Sequence, residues 1–187
     1  MITKRLFAVI ALSLYIAAAA SVCYFIADKI YYRNSVPYLS PIEFGKKIQF
    51  KIRKDQKGDG RFGAPRNGNR LHKGIDLEAP IKTPVRAVRS GIAIPRIDKE
   101  GYGNYVEIYH ENGLMTLYAH LSRVYIKPGI NKVYQGQIIG LVGSTGNAKY
   151  KGIAAHLHFE VKRNGESIDP GLILYRERAP VKKTNGY

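Results

Sequence analysis

The stretch Ala154–Arg163, AAHLHFEVKR, decides the fold class of this chain. Apolar and polar residues alternate strictly through its centre, and successive side chains of a β-strand point to opposite faces. A strand here therefore places Leu157 and Phe159 on one face of a sheet. His156 and His158 share the opposite face, although the chain holds only five histidines among its 187 residues. The stretch predicts a half-buried strand with two adjacent imidazole rings on its polar face.

Further short strands are predicted upstream of this one. Their segments are separated by Gly and Pro: Lys47–Lys54, Tyr105–His110, Leu114–Leu121 and Gln137–Gly143. The turn signal Glu111–Gly113, ENG, predicts a hairpin between the second and the third of them. No convincing amphipathic helix interrupts the series. We therefore expect an antiparallel all-β domain.

The N-terminus carries one long apolar run. Leu6–Ala27 contains 22 residues without a charge, enough to cross a bilayer core of about 30 Å as a helix. Lys4 and Arg5 precede the run, and a basic flank favours a cytoplasmic N-terminus. Two interpretations stay open, an uncleaved signal-anchor and a secretory signal peptide that is cleaved near Ala18–Ser21. Under either one, the rest of the chain is exported.

Composition predicts four segments. They are a signal-anchor or signal peptide at 1–27, a linker at 28–45, the β-domain at 46–175 and a basic polar tail at 176–187. Cys23 is the single cysteine, which excludes an internal disulfide and a Cys-based zinc cluster.

The formal net charge of +16 indicates an anionic partner. Because export argues against a genomic role, we expect no nucleic-acid partner and look instead to the membrane surface and to charged polymers outside the cell. Contact with the membrane is expected through the N-terminal helix. The sequence predicts no obligate oligomer.

Potential metal ligands recur in three short motifs. His72 and Asp76 lie in HKGID, His120 lies in YAHLS, and HLH supplies His156 and His158. Catalytic zinc usually takes three protein ligands and keeps one position for water, whose pKa it lowers to about 7. A spare imidazole beside such a site can move the proton. From spacing alone, a metal site and ordinary hydrogen-bonded histidines both remain open.

Together these segments closely resemble the M23 peptidases, the lysostaphin/LytM-type peptidoglycan endopeptidases. The resemblance spans roughly Phe62–Pro170 and is carried, in order, by HKGIDLEAP, GYGNYVEIYHENGLMTLYAHLS, GQIIGLVGSTG and HLHFEV. It implies an antiparallel β-sheet groove domain (LytM/lysostaphin-like) that holds one zinc ion, Zn²⁺.

The resemblance also implies a role for each residue of the motifs. His72, Asp76 and His158 are the expected zinc ligands. His120 and His156 are the expected catalytic imidazoles, which handle the water and the developing oxyanion.

Two features bear on substrate preference. The loop Asn147–Ala155 is longer than is usual in the family and carries two lysines, and it is expected to border the groove. Arg66 and Asn69 precede His72 at a place where family members can have groove residues. We expect them to contact substrate.

The resemblance therefore implies a zinc endopeptidase that hydrolyses amide bonds in peptidoglycan stem peptides or cross-bridges during cell-wall remodelling. The expected location is the bacterial cell envelope, either anchored in the inner membrane or secreted. Peptidoglycan and anionic envelope polymers are the expected partners for the positive charge. The alternative is a non-catalytic LytM-like module that binds or activates other wall hydrolases. Such relatives typically lose ligands, and this chain keeps the complete set.

Overall fold

The computed structural model describes residues 2–35, 37–43 and 51–174. The chain divides into two compact units, Met1–Pro37 and Tyr38–Tyr187. The first contains helix α1 (Ile2–Ser35). Its segment Ile10–Ala27 has a mean hydropathy of 2.1 and is long enough to cross a membrane. A signal sequence has the same properties, so both interpretations of the N-terminal run stand.

In the second unit, the described residues form fourteen short strands, two 3₁₀ turns and one helical turn. They are β1 (Lys54–Asp55), β2 (Gly58–Asp59), β3 (Pro65–Arg66), β4 (Arg70–Leu71), β5 (Gly74–Glu78), β6 (Pro84–Arg86), β7 (Gly91–Asp98), β8 (Gly103–Tyr109), β9 (Leu114–Ala119), β10 (Leu121–Val124), β11 (Asn131–Val133), β12 (Ile138–Val142), β13 (His156–Arg163), β14 (Glu166–Ile168), the turns Glu111–Gly113 and Gly146–Lys149, and α2 (Gly171–Leu174).

The largest sheet contains seven antiparallel strands. Its order is β11-β7-β8-β9-β13-β14, and β5 also pairs with β13. A second sheet has the order β10-β12-β6, and the pairs β1-β2 and β3-β4 form two small ribbons. Strand β13 is central because β9 pairs with one of its edges, while β5 and β14 share the other. The predicted antiparallel all-β class is confirmed.

The alternation predicted for β13 is also confirmed. Leu157, Phe159 and Val161 are fully buried in the hydrophobic core. His156 and His158 lie on the opposite face, where they line a cavity. Burial of a large apolar side chain contributes about 1.5–3 kcal/mol, so the apolar face holds the strand in place while the polar face remains available to the groove.

The predicted hairpin is present, but the strand after it is shorter than predicted. Glu111–Gly113 connects β8 to β9, with Gly113 at a φ of 67°. The sequence predicted one strand over Leu114–Leu121, whereas the structure has two, separated at His120. His120 has a φ of 63°, a left-handed conformation that is uncommon for a residue with a Cβ and that interrupts the strand.

Part of the predicted linker packs on the second unit. The backbone N–H of Leu39 donates a 3.0 Å hydrogen bond to the carbonyl of Val88. Ile42 is 0% exposed and belongs to the hydrophobic core. The predicted linker end at residue 45, the first part of the predicted strand Lys47–Lys54 and the predicted tail at 176–187 lie outside the described residues.

Truncation of this buried side chain tests the packing of the segment. Ile42→Ala should lower the free energy of unfolding by about 2–5 kcal/mol, because it leaves a cavity in the core. The measurement is urea unfolding of the detergent-solubilised chain, followed by tyrosine fluorescence. Ile130→Ala is the control, since Ile130 is 79% exposed and should shift the free energy by at most about 0.5 kcal/mol. Equal effects of both substitutions would contradict the packing.

Candidate metal centre

A groove opens along the polar face of β13, with a cavity of about 290 Å³ at its centre. The five residues expected to form the site all line this cavity although they come from four separate places in the chain. They are His72 after β4, Asp76 on β5, His120 between β9 and β10, and His156 and His158 on β13.

The three expected ligands converge through one atom each. His158 Nδ1 lies 2.8 Å from Asp76 Oδ1 and 3.0 Å from His72 Nε2. The distance from His72 Nε2 to Asp76 Oδ1 is 3.2 Å. Zinc bonds of about 2.0–2.1 Å in tetrahedral geometry separate ligand atoms by about 3.3–3.4 Å. The three atoms therefore need only a small expansion to hold such an ion.

Outer hydrogen bonds leave the correct nitrogen of each ring for a metal. His72 Nδ1 lies 2.8 Å from the carbonyl of Arg61, and His158 Nε2 lies 3.0 Å from Glu160 Oε1. Each of these nitrogens donates its proton outward, which turns the other nitrogen of the ring toward Asp76. Acceptors that bind the outer N–H of a metal-binding imidazole orient the ring and raise its basicity.

Strand register brings two of the ligands together. In the β5–β13 pair, His158 lies directly opposite Asp76. Directly opposite residues share a face of the sheet, and a slip by one residue would move one of the two to the other face. The apolar neighbours Leu157 and Leu77 are paired next to them and are fully buried, so the core enforces this register.

The second oxygen of Asp76 is held by arginines. Arg53 reaches Oδ2 through Nη2 at 2.9 Å and through Nε at 3.2 Å, and Arg66 Nη2 lies 3.5 Å away. The backbone of Gly60 packs closely against Asp76. Only glycine fits there, because a Cβ on residue 60 would lie 2.7 Å from the Cβ of Asp76. Burial raises the pKa of Asp76, but hydrogen bonds from His158 and His72 outweigh burial and hold the pKa well below its usual range.

Glu160 is a buried carboxylate behind the ligands, with 1% exposure. The hydroxyl of Tyr102 donates a 2.6 Å hydrogen bond to its Oε1, and Lys162 Nζ lies 3.3 Å from Oε2. Burial raises the pKa of Glu160, but the bond to His158 dominates and lowers it to about 2. Burial likewise lowers the pKa of His158, and its bonds to Asp76 and Glu160 raise it to about 9. A cation that binds at Nδ1 displaces a proton there.

The two expected catalytic imidazoles are neutral and adjacent. His120 Nδ1 donates to the carbonyl of Thr145 at 2.9 Å, and His156 Nδ1 donates to that of Ala154 at 2.7 Å. Each ring therefore keeps an unprotonated Nε2. Their centroids are 5.0 Å apart. Burial and the charge of His158 lower the pKa of His120 to about 3, and burial also lowers the pKa of His156.

The residues expected to contact substrate are placed differently from one another. Arg66 lines the groove, as do Asn147 and Ile153 of the predicted bordering loop. Asn69 is exposed at a φ of 55°, in the turn between β3 and β4, and is not among the residues that line the central cavity or the cavity next to it. Its position is that of a turn residue.

Sequence reasoning missed three residues of this centre. Arg53 and Tyr102 carry no recognisable signal, since their contacts to Asp76 and Glu160 span 23 and 58 residues of chain. Glu160 did carry a recognisable sequence signal, because the strand period places it on the same face as His158.

The profile of peptidase family M23 matches residues 70–170, which is 101 of the 187 residues. The chain belongs to this family. The DD-carboxypeptidase/endopeptidase Mpg of Neisseria meningitidis is 48% identical over 101 residues, which cover 54% of this chain and 22% of Mpg. The match thus spans about a fifth of the length of that M23 relative.

Solved structures of M23 proteins share the fold. The catalytic domain of the antimicrobial peptidase lysostaphin from Staphylococcus simulans is 34% identical, with a TM-score of 0.52 over 65% of this chain and 92% of that one. A zinc-containing peptidase from Vibrio cholerae is 29% identical, with a TM-score of 0.54 over 72% and 39% of the two chains. The predicted lysostaphin-like architecture is confirmed.

The charge of Asp76 should be required for metal binding. We expect Asp76→Asn to abolish stoichiometric zinc, because a neutral amide replaces the anionic ligand between two imidazoles. Elemental analysis of the zinc-loaded, desalted chain measures it. Glu78→Gln removes the same charge from the same strand, where Glu78 pairs with Lys51, and should keep the zinc. Retention of zinc by Asp76→Asn would show that the ligand set is wrong.

Glu160→Gln tests whether the carboxylate that accepts from His158 Nε2 supports metal binding. The amide keeps the shape of the side chain but loses the charge that faces His158, so zinc affinity should fall by about 10- to 100-fold. Competition with a chromophoric chelator measures the affinity. Glu107→Gln is the matched control, because Glu107 pairs with Arg96 away from the groove. Equal zinc affinities of the two variants would refute a contribution of Glu160 to metal binding through His158.

Proposed function

We propose that this chain is a zinc metallo-endopeptidase that hydrolyses amide bonds in the stem peptides or cross-bridges of peptidoglycan. One observation carries the proposal. The potential ligand atoms of His72, Asp76 and His158 lie within 3.2 Å of one another, beside two buried imidazoles that hold no proton on Nε2. This arrangement supplies three metal ligands and, separately, two bases.

The donor set fits zinc. Two imidazole nitrogens and one carboxylate oxygen form a common ligand set of catalytic zinc, which keeps a position open for water. When bound, zinc would lower the pKa of water toward about 7 and polarise a carbonyl oxygen. The Oδ2 contacts to Arg53 and Arg66 leave Oδ1 of Asp76 for the metal, and they compensate the rest of its charge.

His120 and His156 would move the protons of the reaction. An unprotonated Nε2 can accept the proton of the water that attacks the scissile carbonyl, and the same proton can then pass to the leaving amine as the C–N bond breaks. The products are an amine and a carboxylic acid, which ionises to a carboxylate by releasing the second proton of the water. The lowered pKa values of both rings support this assignment, because each ring starts neutral. An imidazole beside the carbonyl can stabilise the developing oxyanion once its Nε2 carries a proton, because only then can that nitrogen donate a hydrogen bond.

The backbone of His120 supports a catalytic role. Its left-handed φ of 63° costs on the order of 1 kcal/mol or more for a residue with a Cβ. The ring is held by the carbonyl of Thr145, and the backbone N–H by the carbonyl of Tyr102 at 2.9 Å. The strained conformation thus places the ring 5.0 Å from that of His156.

Charge and the N-terminal helix support a location in the bacterial envelope. A net charge of +16 attracts anionic wall polymers, and this attraction should weaken with salt. The helix would attach the chain to the inner membrane or direct its secretion. Relatives such as Mpg are named for cleavage of peptide bonds, which agrees with a peptidase of the cell wall.

Digestion of peptidoglycan tests the proposal. The detergent-solubilised, zinc-loaded chain should release new amine termini from purified peptidoglycan, detected by amine labelling and mass spectrometry of the fragments. A chelator should abolish the release. His120→Ala should reduce the rate by at least about 100-fold, since proton transfer by a positioned group contributes about 10²–10⁴-fold.

The control for this experiment is His110→Gln. His110 lies outside the groove, where its ring nitrogens contact the carbonyl of Ser90 and the hydroxyl of Thr116, so activity should remain within a few-fold of the wild type. If the wild type binds peptidoglycan in a pull-down but releases no amine, the non-catalytic binding or activator module is the correct function.

A further inference from the structure

The groove continues past the metal ligands into a second compartment. We call it the basic compartment, and its lining includes Arg66, which it shares with the central cavity, together with Arg70, Lys73, Asp98 and Glu160. It also contains residues of the central cavity, among them both ligand histidines, His72 and His158. His120 and His156 are not in its lining. The compartment therefore adjoins the metal centre without overlapping the two bases.

The acidic groups of the basic compartment already have partners. Asp98 accepts backbone N–H groups of Gly101 and Tyr102 at 3.0 and 3.2 Å, which lower its pKa. Glu160 is buried against His158 and Lys162. Their negative charges are compensated by these internal donors, so they contribute little to the recognition of a ligand.

The cationic groups keep unused donors. Arg70 is exposed, and its Nε donates to the carbonyl of Asn67 at 3.2 Å. Across the part of the chain that the structure describes, the terminal Nη groups of Arg70 and the ammonium of Lys73 have no ion-pair partner. Arg66 is the third cationic side chain of the basic compartment, and its Nη2 lies 3.5 Å from Asp76 Oδ2.

We propose that the basic compartment binds a free carboxylate of the substrate peptide, on one side of the scissile amide. The inference rests on the proposed function and specifies its substrate as an anionic peptide. The two Nη groups of Arg70 form a fork that matches both oxygens of a carboxylate. Lys73 adds a point charge, and Arg66 lies between this site and the metal centre.

Chain geometry limits the spacing between the carboxylate and the scissile bond. Arg70 precedes the expected ligand His72 by two residues, and Lys73 follows it directly. An extended chain spans at most about 3.3–3.6 Å per residue, so the backbones of Arg70 and Lys73 lie within about 7 Å of that of His72. An extended peptide covers this distance with about two residues. The carboxylate thus belongs to a residue within about two positions of the cleaved bond.

Three synthetic cross-linked stem peptides separate the possible sources of the carboxylate. One has all carboxylates free, one has only its C-terminal carboxylate converted to an amide, and one has every carboxylate amidated. The zinc-loaded full chain in detergent should cleave the free form with a KM about ten-fold lower than that of the fully amidated form. A hydrogen bond between charged groups changes affinity by about ten-fold. The peptide in which only the C-terminal carboxylate is amidated shows whether the recognised group is that carboxylate or an internal one.

Arg70→Gln should raise the KM of the free peptide about ten-fold and leave its kcat and the KM of the fully amidated peptide unchanged. Arg163→Gln is the matched control. Arg163 is exposed at the end of β13 and is absent from the lining of both compartments, so it should change neither constant. Preference for the carboxylate should also shrink as salt is added.

The outcomes distinguish this inference from the proposed function. Equal KM values for all three peptides, or an unchanged preference in Arg70→Gln, would overturn the carboxylate site while the peptidase stands. If no peptide is cleaved, the proposed peptidase activity is refuted. Calorimetry then measures binding of the same peptides to the full chain, which tests the carboxylate site independently of cleavage. Preferential binding of the free form that Arg70→Gln removes supports it, and equal binding refutes it.

Discussion

The buried carboxylate of Asp76 is the constraint on which the rest of the groove depends. An ionised group that is 3% exposed is stable only if charged or hydrogen-bonded partners replace water around it. Each of the two carboxylate oxygens has its own partners. His72 and His158 lie against Oδ1, while Arg53 and Arg66 lie against Oδ2. Four segments of chain are therefore brought together by one charge, and three potential ligand atoms converge on the side that faces the groove.

Outer hydrogen bonds decide what each imidazole can do. His156 and His158 occupy the same face of one strand, two residues apart, yet they are held through different nitrogens. His158 donates Nε2–H to Glu160, so its Nδ1 faces Asp76. His156 donates Nδ1–H to the carbonyl of Ala154, so its Nε2 keeps the lone pair. Identical side chains are thus suited to the two proposed roles, metal ligand and base, because their partners differ.

Several parts of this picture could be predicted from local sequence. The alternation in β13 placed Leu157 and Phe159 in the core and the histidines in the groove, and ENG predicted the hairpin. Other parts could not. Nothing near His120 indicates a left-handed backbone, because that conformation is imposed by hydrogen bonds to Tyr102 and Thr145. Residues 38–42 have the composition of a linker, and their packing on the domain depends on a surface formed elsewhere.

The amino-acid sequence by itself determined the strand period, the apolar N-terminal run, the set of potential metal ligands and the family, because these depend on neighbouring residues or on short motifs. Only the tertiary structure decided which atoms of those ligands meet. The register of β5 against β13 sets Asp76 opposite His158, and the carbonyl of Arg61 selects the nitrogen of His72. These contacts join residues 82 and 11 positions apart. They exist only after the core has paired the strands, since burial of their apolar faces is what holds the register.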